Sequence, residues 1–89
     1  MLELYRKNIF DKDLRTLQKR GKNLNKLWNI VEMLMEEKPL LAKNRNHKLN
    51  GNWVDFMECH VEPDWLLIYQ INSNMLILAR TGSHADLFG

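Results

Sequence analysis

Five side chains in the second half of the sequence have the types needed for acid–base chemistry. They are the three histidines His47, His60 and His84, one aspartate that follows a proline, Asp64, and Arg80, the only basic side chain after position 48. Imidazole titrates near pH ~6.5, so it can accept or donate a proton at neutral pH. A guanidinium can hold a phosphate through two parallel N–H bonds. The set therefore favours proton transfer at a phosphate.

Each of these residues also has an ordinary structural interpretation. A histidine taken alone is more often a packing or surface residue, and a carboxylate after a proline can simply cap a turn. Three histidines could also bind a metal, but their separations of 13 and 24 residues match no local ligand motif, and the chain has one cysteine. We therefore predict no metal and no other cofactor, and keep a histidine metal site as an alternative.

Metal-free cleavage of RNA would use this combination of groups. The 2′-hydroxyl attacks its neighbouring phosphate, which requires a base for the 2′ proton, a cation for the phosphate charge and an acid for the departing 5′ oxygen. Each proton-transfer group contributes about 10²–10⁴-fold to such a rate. The chain has no Gly-rich phosphate loop, Gly-x-Ser-x-Gly motif or acidic metal cluster. Nucleotide hydrolysis, serine hydrolysis and two-metal nuclease chemistry are therefore disfavoured.

The other basic residues are concentrated in the first half of the chain. Residues 1–48 contain 12 of the 13 Lys and Arg and six of the 11 acidic residues, so they carry +6 while residues 49–89 carry −4. Basic side chains that neutralise phosphates release counterions and give sequence-independent affinity for a polyanion. We expect Lys12, Arg15 and Lys19 to contact RNA. A solvated helix surface is the alternative.

Hydrophobic periodicity predicts one α+β domain over residues 1–89. Apolar residues alternate over residues 2–5, as in an edge strand, and recur at helical spacing over residues 9–20 and from residue 24 towards Pro39. We expect Asn8 to cap the first helix and Gly21 to end it. Residues 40–51 are predicted to be a loop, followed by strands over 53–60, 65–71 and 75–81. The expected order is β-α-α-β-β-β, with an N-terminal strand and a helical hairpin packed on an antiparallel sheet.

The remaining composition limits location and cross-linking. Cys59 is the single cysteine, so no disulfide can form within the chain, and we expect it to be a small buried hydrophobe. The N-terminus becomes charged too early for a signal peptide, and apolar runs are shorter than the ~20 residues of a membrane span. We expect a cytoplasmic protein without membrane contact.

Two aromatic residues lie next to the polar candidates in sequence. Phe88 precedes the last residue, where it has little reason to pack, so stacking on a base is expected. Trp65 follows Asp64 and can either pack in the core or flank the site. We include both as candidate substrate-binding residues.

Three blocks of sequence resemble the YafQ branch of the RelE toxin superfamily. They are His47-x-Leu49-x-Gly51-x-Trp53, then Cys59-His60-Val61-Glu62-Pro63-Asp64-Trp65 with Ile68-Tyr69, and Arg80-Thr81-Gly82-Ser83-His84-Ala85-Asp86-Leu87-Phe88. Members of this family are toxins of type II toxin–antitoxin systems that cut messenger RNA in the ribosomal A site. Residues 1–46 match the family only in architecture. The resemblance implies the RelE-like fold.

The resemblance also implies roles for individual residues. It implies a catalytic set of His47, His60, Asp64 and His84, with Arg80 stabilising the scissile phosphate. The two aromatic residues above would shape the site or position the nucleotide. We expect His84 to act as the general acid and Asp64 or another histidine to act as the base. The products would be a 2′,3′-cyclic phosphate and a 5′-hydroxyl.

The implied partners are a cognate, DinJ-like antitoxin, the ribosome with its messenger RNA, and operator DNA only together with the antitoxin. The alternative function is a non-catalytic RNA-binding or protein-binding domain that retains the RelE-like fold. Convergence of the five candidate side chains on one surface would favour the enzyme, whereas their dispersal would favour the binding domain.

Overall fold

The computed structural model describes residues 1–89 and contains one five-stranded sheet with three helices. In chain order the elements are β1 (Glu3–Arg6), α1 (Asn8–Lys19), α2 (Leu24–Met35), β2 (His47–Lys48), β3 (Met57–Glu62), β4 (Trp65–Asn72), β5 (Met75–Gly82) and α3 (His84–Phe88). Two short 3₁₀ turns, Ala42–Asn44 and Gly51–Trp53, lie on either side of β2. The predicted α+β class and the N-terminal strand followed by a helical hairpin are confirmed.

The sheet is mixed, with the strand order β1-β5-β4-β3-β2. Strands β2 to β5 pair antiparallel, as successive short connections require. The three strands predicted after the helices, β3 to β5, pair antiparallel as expected, whereas the N-terminal strand pairs parallel to β5. The reason is that β1 leads into two helices before the chain returns to the sheet, and such a crossover permits a parallel neighbour.

The two long helices cover one face of the sheet and form the core with it. The buried positions of α1 recur at helical spacing, as do those of α2, and they meet Trp65, Leu67 and Tyr69 of β4. Phe10 packs edge-on against the ring of Trp28, which joins the two helices. Burying large apolar side chains of this kind stabilises a fold by about 1.5–3 kcal/mol each. The opposite face of the sheet is free of these two helices and carries both polar and buried apolar side chains.

Both helices end in the same backbone motif. After α1, Gly21 has a φ of 80° and donates its N–H to the Gln18 carbonyl, as the sequence predicted. After α2, the equivalent left-handed residue is Glu37, with a φ of 57°. The helix therefore ends at Met35, before the predicted stop at Pro39.

Several predicted boundaries differ from the structure. The N-cap of α1 is Lys7, and Asn8 is the first helical residue, so the predicted Asn8 cap was wrong. The strand predicted over residues 53–60 begins at Met57 because Trp53 lies in a 3₁₀ turn. Strand β2 and helix α3 were not predicted. No helix has the length and apolar character to cross a membrane.

Candidate active site

The three histidines form a row on one side of the sheet, although they lie in three different elements. His47 is in β2, His60 is in β3 and His84 begins α3. The ring centroids of His47 and His60 are 6.3 Å apart, and those of His60 and His84 are 5.9 Å apart. The fold thus brings together imidazoles that are separated by up to 37 positions in the sequence.

A buried carboxylate that the sequence analysis missed lies between two of the histidines. Glu58 is 6% exposed, and its Oε1 atom is 3.3 Å from His47 Nε2 and 3.8 Å from His60 Nε2. The placement follows from the strands: Glu58 and His60 are two residues apart on β3, and Glu58 is the cross-strand partner of His47. The available signal was an acidic residue two positions before His60, because side chains two residues apart on a strand share a face.

In His47 and His60, a hydrogen bond from Nδ1 to a backbone carbonyl holds the ring in place. His47 donates from Nδ1 to the Arg45 carbonyl at 2.7 Å, and His60 donates from Nδ1 to the Pro63 carbonyl at 3.3 Å. A carbonyl can only accept, so in each neutral ring the proton is on Nδ1 and Nε2 has the free lone pair. The two Nε2 atoms that face Glu58 are therefore able to accept protons.

His84 and Asp64 form the shortest contact of the site. Asp64 Oδ1 accepts hydrogen bonds from His84 Nδ1 at 2.6 Å and from the His84 backbone N–H at 2.9 Å. Both bonds lower the pKa of Asp64 below its ordinary value, and the backbone bond has the larger effect. Because the carboxylate holds Nδ1, the Nε2 atom of His84 is left to exchange a proton with a substrate.

A β-bulge places Arg80 on the same face as the carboxylate between the histidines. Strands β4 and β5 pair Ile68 with Arg80 and Tyr69 with Leu78, so Ala79 is an extra residue. Without this extra residue, Arg80 would share the core face of Leu78. With it, Arg80 lies opposite Ile68, which in turn lies opposite Glu58 on β3.

The guanidinium of Arg80 is already paired within the protein. Nε and Nη2 donate to the two carboxylate oxygens of Asp13 at 2.8 and 3.1 Å, leaving Nη1 outside the pair. The same carboxylate accepts a hydrogen bond from the Thr81 backbone N–H at 3.1 Å, at the part of β5 beyond β1. The hydrogen bond with Asp13 raises the pKa of Arg80, which stays cationic. The pair thus orients a fixed positive charge.

The two candidate aromatic residues have different surroundings. Trp65 is fully buried, and its Nε1 donates to Thr81 Oγ1 at 2.9 Å. Because it is buried, the Trp65 ring offers no surface for a nucleotide. Its hydrogen bond instead joins β4 to β5 beside the site. Phe88 lies at the end of α3 and is 49% exposed, which leaves its ring open to stacking.

Helix α3 is anchored at its first turn. Ser83 Oγ accepts the Asp86 N–H, and the Asp86 carboxylate accepts the Ser83 N–H, which is a complete capping box.

The predicted RNA-binding residues lie elsewhere: Lys12, Arg15 and Lys19 are exposed on α1. No three His, Cys, Asp or Glu side chains are grouped so that they could hold one metal ion.

Comparison with known proteins gives consistent similarities. Residues 2–89 match the family model described as a bacterial toxin of type II toxin–antitoxin systems, YafQ. The mRNA interferase toxin YafQ of Escherichia coli strain K12 is 43% identical over 81 residues, which cover 90% of this chain and 88% of that protein.

Two solved structures show the same fold over the whole chain. A copper-bound mutant toxin from Helicobacter pylori is 39% identical, with a TM-score of 0.95, and the match covers 99% of this chain and 100% of that one. The toxin in the E. coli DinJ–YafQ complex is also 39% identical, with a TM-score of 0.93 and full coverage of both chains.

Proposed function

The chain belongs to the YafQ family of bacterial toxins of type II toxin–antitoxin systems, and we propose that it is a ribosome-dependent endoribonuclease that cuts messenger RNA in the A site. The relative in E. coli is named an mRNA interferase, which supports RNA cleavage as the activity. The observation that carries the proposal is the row of His47, His60 and His84 with Glu58 and Asp64 beside it.

In the proposed reaction a histidine beside Glu58 acts as the base. His60, or His47, removes the proton of the 2′-hydroxyl through Nε2, and the 2′ oxygen forms a bond to the adjacent phosphorus. Glu58 is close enough to both Nε2 atoms to stabilise the positive charge that the base acquires. Asp64 is less suited to this role, since its two bonds from His84 lower its pKa and make it a weak base.

The departing 5′ oxygen receives a proton from His84. The bond from phosphorus to this oxygen breaks, and Nε2 of protonated His84 supplies the proton, so that the products are a 2′,3′-cyclic phosphate and a 5′-hydroxyl. Asp64 holds the donor in place through Nδ1. Nη1 of Arg80, on the face shared with Glu58, is the proposed contact for the phosphate charge. These steps need no metal ion.

The proposed partners follow from the family. A DinJ–YafQ complex has been solved, which supports a DinJ-like antitoxin as the partner of this chain. We propose that the exposed cations of α1 contact ribosomal RNA, that Phe88 stacks on a base of the messenger, and that operator DNA is bound only with the antitoxin.

A non-catalytic binding domain remains the second candidate, but it gives no reason for three imidazoles and two carboxylates to share one surface.

The test is cleavage of messenger RNA by purified protein, with and without programmed ribosomes, for the wild type and His84→Ala. We expect the wild type to cut only on ribosomes and to leave a 2′,3′-cyclic phosphate and a 5′-hydroxyl. His84→Ala should reduce the rate at least about 100-fold, in the range attributed to one proton-transfer group. A wild type that binds programmed ribosomes without cutting would favour the binding domain. A 3′-hydroxyl and a 5′-phosphate at the cut would refute the proposed attack by the 2′-hydroxyl.

A further inference from the structure

The cations that have no partner within the protein fall into two groups. Seven of the 13 Lys and Arg side chains contact a carboxylate or an aromatic ring. Of the other six, three are on α1, and the remaining three, Lys43, Arg45 and Lys48, lie within four residues of His47 in the chain. Unpaired cations beside a phosphate-processing site are suited to a further anion.

The segment that carries Lys43 and Arg45 is held in a defined conformation. The buried Asn44 donates from Nδ2 to the His60 carbonyl at 2.9 Å, and the next asparagine, Asn46, accepts a hydrogen bond from a buried tyrosine at 2.7 Å. Arg45 has a left-handed φ of 47°, and its carbonyl accepts the bond from His47. The backbone of the segment is thus tied to both candidate bases, so a ligand has only the two exposed side chains to order.

A cavity lies between this segment and the turn from β3 to β4. It has a volume of about 400 Å³, and its lining includes Lys43, Arg45 and His60. The one carboxylate in the lining, Glu62, is paired with Lys22 at 2.9 Å and is also paired with a second lysine at 2.8 Å. The cavity therefore presents two free cations and no free acid, and one of its walls is a proposed catalytic base.

We propose that Lys43 and Arg45 form a second phosphate subsite, which binds a backbone phosphate of the messenger RNA next to the scissile one. This inference rests on the proposed function, because the scissile phosphate is taken to lie at the histidine row. Two long cations on a rigid segment can contact one phosphodiester from two sides, and His60 connects that position with the reacting linkage.

The test combines protein and messenger variants in a double cycle. Arg45→Gln and Lys43→Gln each remove one cation, and Lys38→Gln is the matched control because Lys38 is an exposed lysine whose partner is Glu36. In the messenger, a neutral methylphosphonate replaces the phosphate on either side of the cut linkage. Affinity for programmed ribosomes is measured with a 2′-O-methyl group at the cut site, and the cleavage rate is measured with unblocked messenger.

We expect Arg45→Gln to weaken binding about fivefold, with a shallower salt dependence, while Lys38→Gln leaves it unchanged. A methylphosphonate at one flanking linkage should weaken the wild type more than Arg45→Gln does, because both cations then lose their partner, and should weaken Arg45→Gln less than it weakens the wild type. If the losses from Arg45→Gln and from the methylphosphonate add fully at both linkages, Arg45 contacts a ribosomal RNA phosphate and the inference is overturned. Unchanged binding by Arg45→Gln would also overturn it. If no cutting occurs but the losses are non-additive, the proposed cleavage fails while the subsite stands.

Discussion

The guanidinium of Arg20, directly after α1, donates two hydrogen bonds of 2.6 and 2.9 Å to the carboxylate of Asp86 in α3. Asp86 is two residues after His84, and this pairing, together with the Ser83 backbone bond, holds the pKa of Asp86 well below its ordinary value. The pair therefore connects the corner between α1 and α2 to the helix that begins with the proposed general acid.

Breaking this pair should lower the cleavage rate without unfolding the protein. An exposed ion pair contributes only about 0.2–1 kcal/mol to stability, so Arg20→Gln should leave the unfolding midpoint nearly unchanged. A small displacement of His84 should still reduce the rate constant at saturating toxin about tenfold. The control is Arg6→Gln, which breaks an ion pair with Asp11 instead. An Arg20→Gln variant that cleaves messenger at the wild-type rate would show that the pair does not position His84.

Replacing the buried carboxylate between the histidines should separate activity from stability. Glu58→Gln keeps the shape of the side chain but removes a charge that is costly to bury. We expect the free energy of unfolding in urea to stay the same or rise, while the rate of messenger cleavage falls about 10- to 100-fold. A variant that loses stability and keeps its cleavage rate would show that Glu58 serves the fold.

Reversing the exposed charges on α1 should act on binding alone. Changing Lys12, Arg15 and Lys19 to Glu removes three cations that could neutralise phosphates. We expect weaker binding to ribosomes at all salt concentrations and a flatter dependence of affinity on KCl, by about 0.7–0.9 in slope per lost phosphate contact. The cleavage rate at saturating toxin should remain close to that of the wild type. Equal affinity across the KCl series would refute the ribosomal contact.

Stability should decline in strongly alkaline solution. Burial raises the pKa of Tyr69 to about 12, and burial followed by the nearby Glu58 charge raises the pKa of Cys59 to about 12. The ordinary values are 10.0 and 9.0, so both groups hold their protons more firmly in the folded state. Their contribution is therefore complete below pH 9 and is lost as the pH rises towards 12.

Urea unfolding measured between pH 8 and pH 11.5 would check this, with Tyr69→Phe and Cys59→Ala as the variants that lack each group. Each variant should be less stable than the wild type at pH 8 but should lose less stability on the way to pH 11.5. Parallel losses in all three proteins would assign the alkaline transition to other groups.

Sequence periodicity predicted the elements that depend on local signals. Gly21 could be recognised because glycine favours the left-handed conformation that ends α1, whereas Glu37 does the same after α2 with no such preference. Strand β2 has only two residues, and it exists because His47 and Lys48 pair with β3. Two residues are too few to show an alternating pattern, so a strand of this length forms only through its pairing with β3.

The candidate site was predictable in residue types but not in arrangement. The family blocks named the three histidines, yet Glu58 enters the site only because strand pairing sets it against His47. The side on which Arg80 lies depends on the extra residue Ala79, and a bulge of this kind has no sequence signal in an apolar strand. Both facts come from long-range pairing.

The parallel contact between the first and last strands also sets the order in which this protein can assemble during its own synthesis. The only strand that pairs with β1 is β5, and His84 follows β5 within two residues. Until β5 has left the ribosome, β1 has no neighbour, and until His84 has followed it, the row of imidazoles is incomplete. Contacts between distant parts of a chain close late, after the loop between them has been ordered. The site proposed to act on translating ribosomes is therefore assembled only after every strand of the sheet has been synthesised.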